Sequence, residues 1–390
     1  MLRILHTADW HLGKVLKGFA RLDEQRRVMA EIVTVAEQEN VDLVIVAGDV
    51  FDTTTPSPDA QQLAWSTLLA LKQRCSSVVV VSGNHDSADT FEALRPLFDA
   101  TGITMSGRPR RAAEGGVVDV GDVARVVIVP FLSQRGAVRA AELFDASAAE
   151  ARGRYADKFR DLMRVLTDGF DGSRVNVIVS HATLTGATLG GGEREAHSIF
   201  DYHVPSLVFP PTASYVALGH LHRMQQVPGP CPIWYPGSPI GVDFGDDSAA
   251  RAVLLIDAEP GRPAVVRTRT LDTPRPLITV KGTLDEVREM EAPDDAMIRV
   301  ILNEPARAGL VDEVRALHPG VIEVKVERLI PLGVPRRVDR SAKPPSELFA
   351  AYLSEQDVAD PAVTALFQRL LDEAQPADEG TFAGADGRLF

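Results

Sequence analysis

The chain has 390 residues, a formal net charge of −13, a hydrophobic share of 45% and a charged share of 24%. That length allows two or three domains around a sizeable core, and no run approaches the roughly 18 consecutive apolar residues of a membrane span. The acidic balance argues against a generic polyanion binder, which is ordinarily basic, although two bound divalent cations would reverse the sign locally.

In chain order, Leu2–Thr7 reads as a short apolar strand, and the opening MLRILHTADW lacks the apolar core and cleavage site of a secretory signal. Leu22–Asn40 has helical spacing, with Leu22, Val28, Ile32 and Val35 on one side. Leu43–Ala47 is the next strand, and it runs into Gly48-Asp49. Pro58–Arg74 reads as a helix capped by Ser57, with Pro58 suited to the first turn. Val78–Val81 is a strand followed by GNHDS, and Phe91–Ala100 is a short helix. This alternation predicts a layered α/β sheet.

Val117–Val120 and Arg125–Val129 read as a hairpin around Gly121-Asp122, and Arg139–Gly169 as a long helical region. Val175–Val179 is a strand leading to Ser180-His181, and a glycine-rich loop spans Thr185–Glu195. Tyr215–Leu218 leads into GHLH. Ile233–Tyr235, Ala252–Asp257 and Ala264–Thr270 are further strands, with Pro236–Pro239 (PGSP) as a turn. A boundary is expected at Thr273–Pro276. Beyond it lies a βαβαβ pattern: Leu277–Lys281, Leu284–Glu291, Met297–Leu302, Ala308–Leu317 and Ile322–Arg328. From Pro344 two amphipathic helices follow. Leu348, Phe349, Tyr352 and Leu353 line the first; Val363, Leu366, Phe367, Leu370 and Leu371 line the second. The tail from Pro376 has a disordered composition. The expected division is therefore 1–272, 277–340, 344–375 and 376–390. Cys75 and Cys231 form neither a disulfide framework nor a CxxC motif, which points to a reducing cytoplasm.

The chemistry lies in five short motifs, each after an apolar run: Asp9-Trp10-His11, Gly48-Asp49, Gly83-Asn84-His85-Asp86, Ser180-His181 and Gly219-His220-Leu221-His222. Ligands of open α/β sheets gather at the carboxyl ends of strands, so five such ends can meet in one crevice. Asp, Asn and His donors without cysteine suit manganese or iron, with zinc and magnesium as further options. In extended backbone, residues i and i+2 share a face, so Asp9/His11 and His220/His222 can each present a pair. Asp49 has two oxygens and can touch both of two ions, the usual device for phosphoester hydrolysis. A single histidine or Gly-Asp pair means little. The ordered set is the signal.

That set, with the flanks HTADWHLG, AGDVFDTTTPSP, VSGNHD, ALGHLHR and YPGSPIGVDF, resembles the calcineurin-like metallophosphoesterase superfamily. Within it the chain resembles the SbcD family of DNA break-repair nucleases. The likeness covers about Met1–Leu271 and continues more loosely beyond. It implies a metallophosphoesterase β-sandwich flanked by helices, with a small α+β capping domain and a C-terminal helical tail. One metal would be held by Asp9, His11, Asp49 and His222, the other by Asp49, Asn84, His181 and His220. His85 matches the family's catalytic histidine, which meets the scissile phosphate. Archaeal members carry a histidine at the position of Asp52, so Asp52 is expected to support the ligands. Asp86 is expected either to orient His85 or to cap the next helix.

The resemblance also implies an exonuclease on duplex ends and an endonuclease on hairpins. An SbcC-type coiled-coil ATPase would be gripped by the tail, through Leu348, Phe349, Tyr352, Leu366, Phe367 and Leu370. A homodimer within a heterotetramer is implied, with Trp65 and Leu69 as candidate contacts. Basic residues cluster at Arg108, Arg110 and Arg111, at Arg135 and Arg139, and at Arg336, Arg337, Arg340 and Lys343. The last cluster is the candidate DNA contact. Two rival readings are a stand-alone cyclic-nucleotide or small-molecule phosphodiesterase, and a non-catalytic scaffold. The first would keep its activity without Thr273–Phe390. Retention of every ligand and of His85 weighs against the second. His6 is expected to pack beneath the site, and His197, His203 and His318 have no partner pattern.

Overall fold

Val44 and Val46 leave their strand on one side, Leu43 and Ile45 on the other, and all four are fully buried. A strand buried on both faces belongs inside a stack of layers. The computed structural model describes residues 1–133, 155–190, 193, 203–245, 251–327, 349–350, 352–353 and 361–374. Two compact units are distinguished, Met1–Leu329 and Ile330–Phe390.

The first unit begins with β1 (Leu2–Thr7), a small hairpin of β2 (Val15–Leu16) and β3 (Phe19–Ala20), α1 (Leu22–Gln38) and β4 (Leu43–Val46). It continues through α2 (Pro58–Arg74), β5 (Ser77–Val81), α3 (Ala88–Asp99), β6 (Ile103–Ser106), β7 (Val117–Val120) and β8 (Ala124–Val129). Then come α4 (Tyr155–Leu166), β9 (Val175–His181), β10 (Thr183–Leu184), β11 (His203–Val204), β12 (Tyr215–Gly219), β13 (Gln225–Val227) and β14 (Ile233–Tyr235). The unit closes with β15 (Ala252–Ala258), β16 (Val265–Thr270), β17 (Leu277–Gly282), α5 (Leu284–Arg288), β18 (Met297–Leu302), α6 (Leu310–Leu317) and β19 (Val321–Val326).

Two six-stranded sheets result, ordered β16-β15-β1-β4-β5-β6 and β13-β14-β12-β9-β8-β7. The central strands β1, β4, β5 and β6 are parallel, as are β8, β9, β12 and β14, while β15, β16, β7 and β13 run against their neighbours at the edges. The sheets pack on each other through one face each: Ile4, Leu43, Ile45 and Val79 meet Val126, Val177, Val179 and Ala217. The outer face of the first sheet, with Leu5, Val44, Val46 and Val80, is covered by Val28, Ile32, Ala64, Leu68 and Phe91 from the helices. The outer face of the second, with Val127, Ile178 and Val216, is covered by Phe159, Leu162 and Met163 of α4. The chain is thus an α/β sandwich of two mixed sheets between helical layers.

The predicted cap of α2 is present: Ser57 Oγ accepts from Ala60 N–H at 3.3 Å, and Pro58 occupies the first turn. Helix α3 starts three residues before its expected position because Ser87, not Asp86, caps it, accepting from Thr90 N–H. Of the helical region expected over Arg139–Gly169, residues 155–166 are described as α4, and 139–154 lie outside the described residues. The βαβαβ pattern after Pro276 forms a three-stranded parallel sheet, β17-β18-β19. One face of it, with Val300 and Leu302, packs against Val287 of α5 and Leu310 and Val314 of α6. The other face meets the main sandwich through Met297 and Ile322, packed with Leu16 and Phe244.

Candidate metal centre

Strands β1, β4, β5, β9 and β12 all run toward one end of the sandwich, and the five motifs follow there. The connecting backbone is unusual. Asp9, His11, Asp49 and His220 have φ of 53°, 46°, 49° and 109°, in or near the left-handed region that costs a non-glycine residue about 1–3 kcal/mol. The extended i, i+2 presentation expected for Asp9/His11 is therefore not what the chain uses. Both residues are turned inward by tight loops, and backbone bonds hold those loops: Asp9 N–H to Gly48 O and His11 N–H to Asp49 O, each 3.0 Å.

Glycines allow the close approach. A Cβ on Gly83 would stand 2.1 Å from Asp49 Oδ1, and one on Gly219 would stand 1.9 Å from Ala47 O. Ser238, read from the sequence only as part of a turn, clips two motifs together. Its Oγ donates to Asp9 O at 2.7 Å and its N–H donates to His222 O at 3.1 Å. Nothing in the PGSP pattern alone distinguishes that role from an ordinary turn.

All seven predicted ligands converge. Asp9, His11 and His222 bring donor atoms within 4.8 Å of one another, as do Asp49, His181 and His220. His11 Nε2 and His222 Nε2 are 3.0 Å apart. Asn84 Oδ1 lies 2.9 Å from His181 Nε2 and 2.8 Å from His220 Nδ1. Asp49 Oδ2 stands between the two groups, 3.4 Å from His181 Nε2 and 3.9 Å from His11 Nε2. Its other oxygen, Oδ1, accepts from His85 N–H at 2.8 Å. All seven side chains are buried.

The tautomers follow from the outer partners. His181 Nδ1 donates to Ala47 O at 2.8 Å, so a neutral His181 aims the lone pair of Nε2 at two acceptor oxygens, those of Asn84 and Asp49. Lone pairs facing one another require a proton or a cation between them. The acid–base balance says the same. Burial, with the charge of Asp49 adding to it, pushes Asp9 up to about 7. Burial opposes the charge on His181, but the attraction of Asp49 and then Asp9 outweighs it and raises His181 to about 9. Burial likewise opposes ionisation of Asp49, yet His181 and the other nearby histidines hold it well below the usual carboxylate range. Buried acceptors short of positive charge fit divalent cations, and the Asp, Asn and His donor set suits them.

Asp52 supports the group from two directions. Its carboxylate lies 3.5 Å from His11 Nδ1 and accepts from Lys14 Nζ at 3.0 Å, and its backbone carbonyl accepts from His85 Nδ1–H at 2.8 Å. His85 is thus oriented by the Asp52 backbone rather than by Asp86. The Asp86 carboxylate instead accepts from Gly83, Val50 and Phe51 N–H groups at 2.8, 3.1 and 2.9 Å, tying the β4 loop to the β5 loop. Burial and the Asp49 charge push Asp86 up to about 7. His6 packs beneath the centre as expected, with Nδ1 bonded to Tyr215 OH at 2.8 Å and Nε2 to Leu218 O at 3.1 Å.

The calcineurin-like phosphoesterase family matches residues 2–224. The SbcD subunit of the SbcCD nuclease of Bacillus subtilis (strain 168) is 34% identical over 337 residues, which cover 83% of this chain and 85% of that one. The chain belongs to the SbcD family of calcineurin-like phosphoesterases. The SbcD subunit of Rhodobacter capsulatus is 31% identical over 82% of this chain and 78% of its own, and that of Escherichia coli (strain K12) 29% identical over 73% and 72%. Like other calcineurin-like phosphoesterases, the chain is a metal-dependent hydrolase.

Arg336, Arg337, Arg340, Lys343, Leu348, Arg135 and Arg139 fall outside the described residues, as does the side chain of Leu370. Arg108 pairs with Asp89, and Arg110 with Glu92. In the second unit, α7 (Pro361–Ala374) carries Phe367, whose ring stacks on that of Phe349 at 3.9 Å. Tyr352 and Leu366 are exposed. Trp65 packs among Phe51, Phe91 and Phe98, while Leu69 is exposed. No helix among the described residues is long and apolar enough to cross a membrane.

Proposed function

We propose that this SbcD-family phosphoesterase is a manganese-dependent DNA nuclease, acting on duplex ends and hairpins as the nuclease subunit of a complex with an SbcC-type coiled-coil ATPase. The observation that carries the reading is the position of Asp49 Oδ2 between two donor groups. Asp9, His11, Asp49 and His222 would hold one ion, and Asp49, Asn84, His181 and His220 the other. Such a pair supplies an activated water and charge stabilisation at the phosphoryl oxygens.

The protein's own groups do the rest. Asp49 keeps both donor groups in one frame because Oδ1 is tied to the His85 amide. With Nδ1–H of His85 bound to Asp52 O, Nε2 is the ring nitrogen that would carry a proton to the departing oxygen. Such help is worth about 10²–10⁴-fold. On the family pattern residues 1–272 form the nuclease body and 277–340 a cap over the DNA, with Arg336, Arg337, Arg340 and Lys343 touching phosphates. Residues 344–375 would grip the ATPase through Leu348, Phe349, Tyr352, Leu366, Phe367 and Leu370; residues 376–390 lie outside the described residues. A homodimer within a heterotetramer, in the cytoplasm, completes the assembly.

The test is digestion of end-labelled hairpin DNA with manganese, with and without the ATPase. Cutting is expected, and His85→Ala should abolish it while calorimetry still shows metal bound. Intact DNA under every condition would refute the nuclease reading.

A further inference from the structure

Helix α1 buries one face, with Val28, Met29, Ile32, Val35 and Ala36 on it. Gln25 lies on that face one turn earlier and is fully buried too. A polar side chain there is costly unless its amide is paired. The pairing is complete. Nε2 donates to His11 O at 2.6 Å and to Trp10 O at 3.2 Å, and Oε1 accepts from Gly13 N–H at 3.0 Å. A glutamine amide has two N–H donors and one carbonyl, and here all three serve a single stretch, Trp10–Gly13. The partners also fix which way round the amide lies, because two carbonyls need donors and one N–H needs an acceptor.

That stretch carries His11 and is sharply bent, with φ of 46° at His11 and 88° at Gly13. On its amide side it is bonded to the loop after β4, His11 N–H to Asp49 O at 3.0 Å and Leu12 N–H to Val50 O at 2.9 Å. On its carbonyl side the holders are side chains. Ser238 Oγ–H takes Asp9 O, and Gln25 takes the next two carbonyls in turn. The two sets of bonds fix different things. Those to the β4 loop join His11 to the chain that bears Asp49. Those from Gln25 join it to a helix whose start is itself anchored. Arg21, one turn before Gln25, is bonded to the Glu24 carboxylate twice at 2.7 Å and donates to Gly241 O at 2.5 Å.

We propose that Gln25 is a positioning residue for His11. By holding Trp10 O and His11 O against α1, it fixes His11 Nε2 beside His222 Nε2, 3.0 Å away, and so sets the affinity of the ion that Asp9, His11, Asp49 and His222 would hold. The inference rests on the two-ion reading above. The other donor group draws Asn84, His181 and His220 from the ends of β5, β9 and β12. Gln25's three partners all lie on the loop after β1 instead, so the second ion is outside its reach.

The test uses the full-length protein, stripped with EDTA. Manganese is added back, and binding is followed by calorimetry and by low-temperature electron paramagnetic resonance, which separates a lone ion from a coupled pair. Gln25→Met removes all three bonds at similar volume. Gln25→Glu keeps an acceptor for Gly13 N–H and, as a carboxylate, loses both donors. Each variant should bind one manganese as the wild type does and the other about 10–100-fold more weakly, with the coupled-pair signal delayed to higher manganese. With bis(p-nitrophenyl) phosphate, the manganese concentration for half-maximal rate should rise by the same factor, while kcat at saturating manganese stays near wild type. Ile32→Ala opens a cavity on the same buried face; it should lower the melting temperature and leave both manganese affinities unchanged. Two wild-type affinities in either Gln25 variant, a loss shared equally by the two sites, or the same one-site loss in Ile32→Ala would overturn the inference alone. A wild type that binds fewer than two manganese ions would overturn the two-ion reading, and the inference with it.

Discussion

Ser238→Ala removes one oxygen from a side chain that is 2% exposed, and the centre should feel it. The lost bond is Ser238 Oγ–H to Asp9 O at 2.7 Å. Leaving a buried carbonyl without its donor costs about 1–3 kcal/mol. The carbonyl belongs to Asp9, whose φ of 53° stores a strain of about 1–3 kcal/mol. The bond is thus comparable in size to the strain it helps hold. Ser238 N–H still donates to His222 O at 3.1 Å, so the PGSP loop stays docked and the damage concentrates on Asp9. Loss of such an outer partner typically weakens metal affinity about 10–100-fold. Calorimetric titration of the EDTA-stripped variant with manganese should show that weakening at one of two sites, with the far-ultraviolet circular dichroism of the wild type. Two sites of wild-type affinity would refute the claim that Ser238 holds Asp9 in place.

Gly219→Ala should cost more than the ~1–3 kcal/mol usual for overpacking, because its Cβ would stand 1.9 Å from a backbone oxygen, Ala47 O; wild-type urea unfolding would contradict this. Glu24→Ala should cost about 3–5 kcal/mol, since Arg21 and Glu24 are 1% and 3% exposed and joined by two 2.7 Å bonds; a midpoint near wild type would show that Arg21 finds another partner. The pH dependence has a definite sign. Asp9 and Asp86 are raised to about 7, chiefly by burial, and His181 to about 9, where Asp49 overcomes burial. Groups with raised values contribute stability at low pH that is lost as pH rises through those values. The metal-free protein should therefore lose melting temperature between about pH 6 and 9, while added manganese, displacing those protons, should stabilise it more at the upper end. A melting temperature in EDTA that climbs with pH over that window would reverse the argument. Asp49→Ala should abolish binding at both metal positions and Asp52→Ala at neither, as read by titration with manganese; two retained sites in Asp49→Ala would remove its bridging role.

The layers were legible because parallel strands buried on both faces read as unbroken apolar runs. LVIV at Leu43–Val46 and VVVV at Val78–Val81 are such runs, and they lie side by side in the first sheet. The donors were legible because each sits within a few residues of such a strand's end. The backbone that aims them was not. Nothing about Asp9 or His11 as residue types calls for positive φ. That conformation is imposed by the hydrogen bonds of Asp9 and His11 N–H to Gly48 O and Asp49 O, from a loop about 40 residues away in sequence. Asp86 shows the same limit. Its place between Asn84-His85 and a helix suggested a cap or an orienting carboxylate, whereas its partners are three amides, two of them on the β4 loop.

Asp52 acts through two separate groups. Its carboxylate reaches His11 and Lys14, while its backbone carbonyl holds His85. A side-chain change touches only the first task, because any residue supplies the carbonyl if the loop keeps its path. The path depends on Asp86, which binds the amides of Val50 and Phe51 just upstream. Asp86 therefore bears on the Asp52 carbonyl, and so on His85, only through the path of the loop that carries Val50 and Phe51.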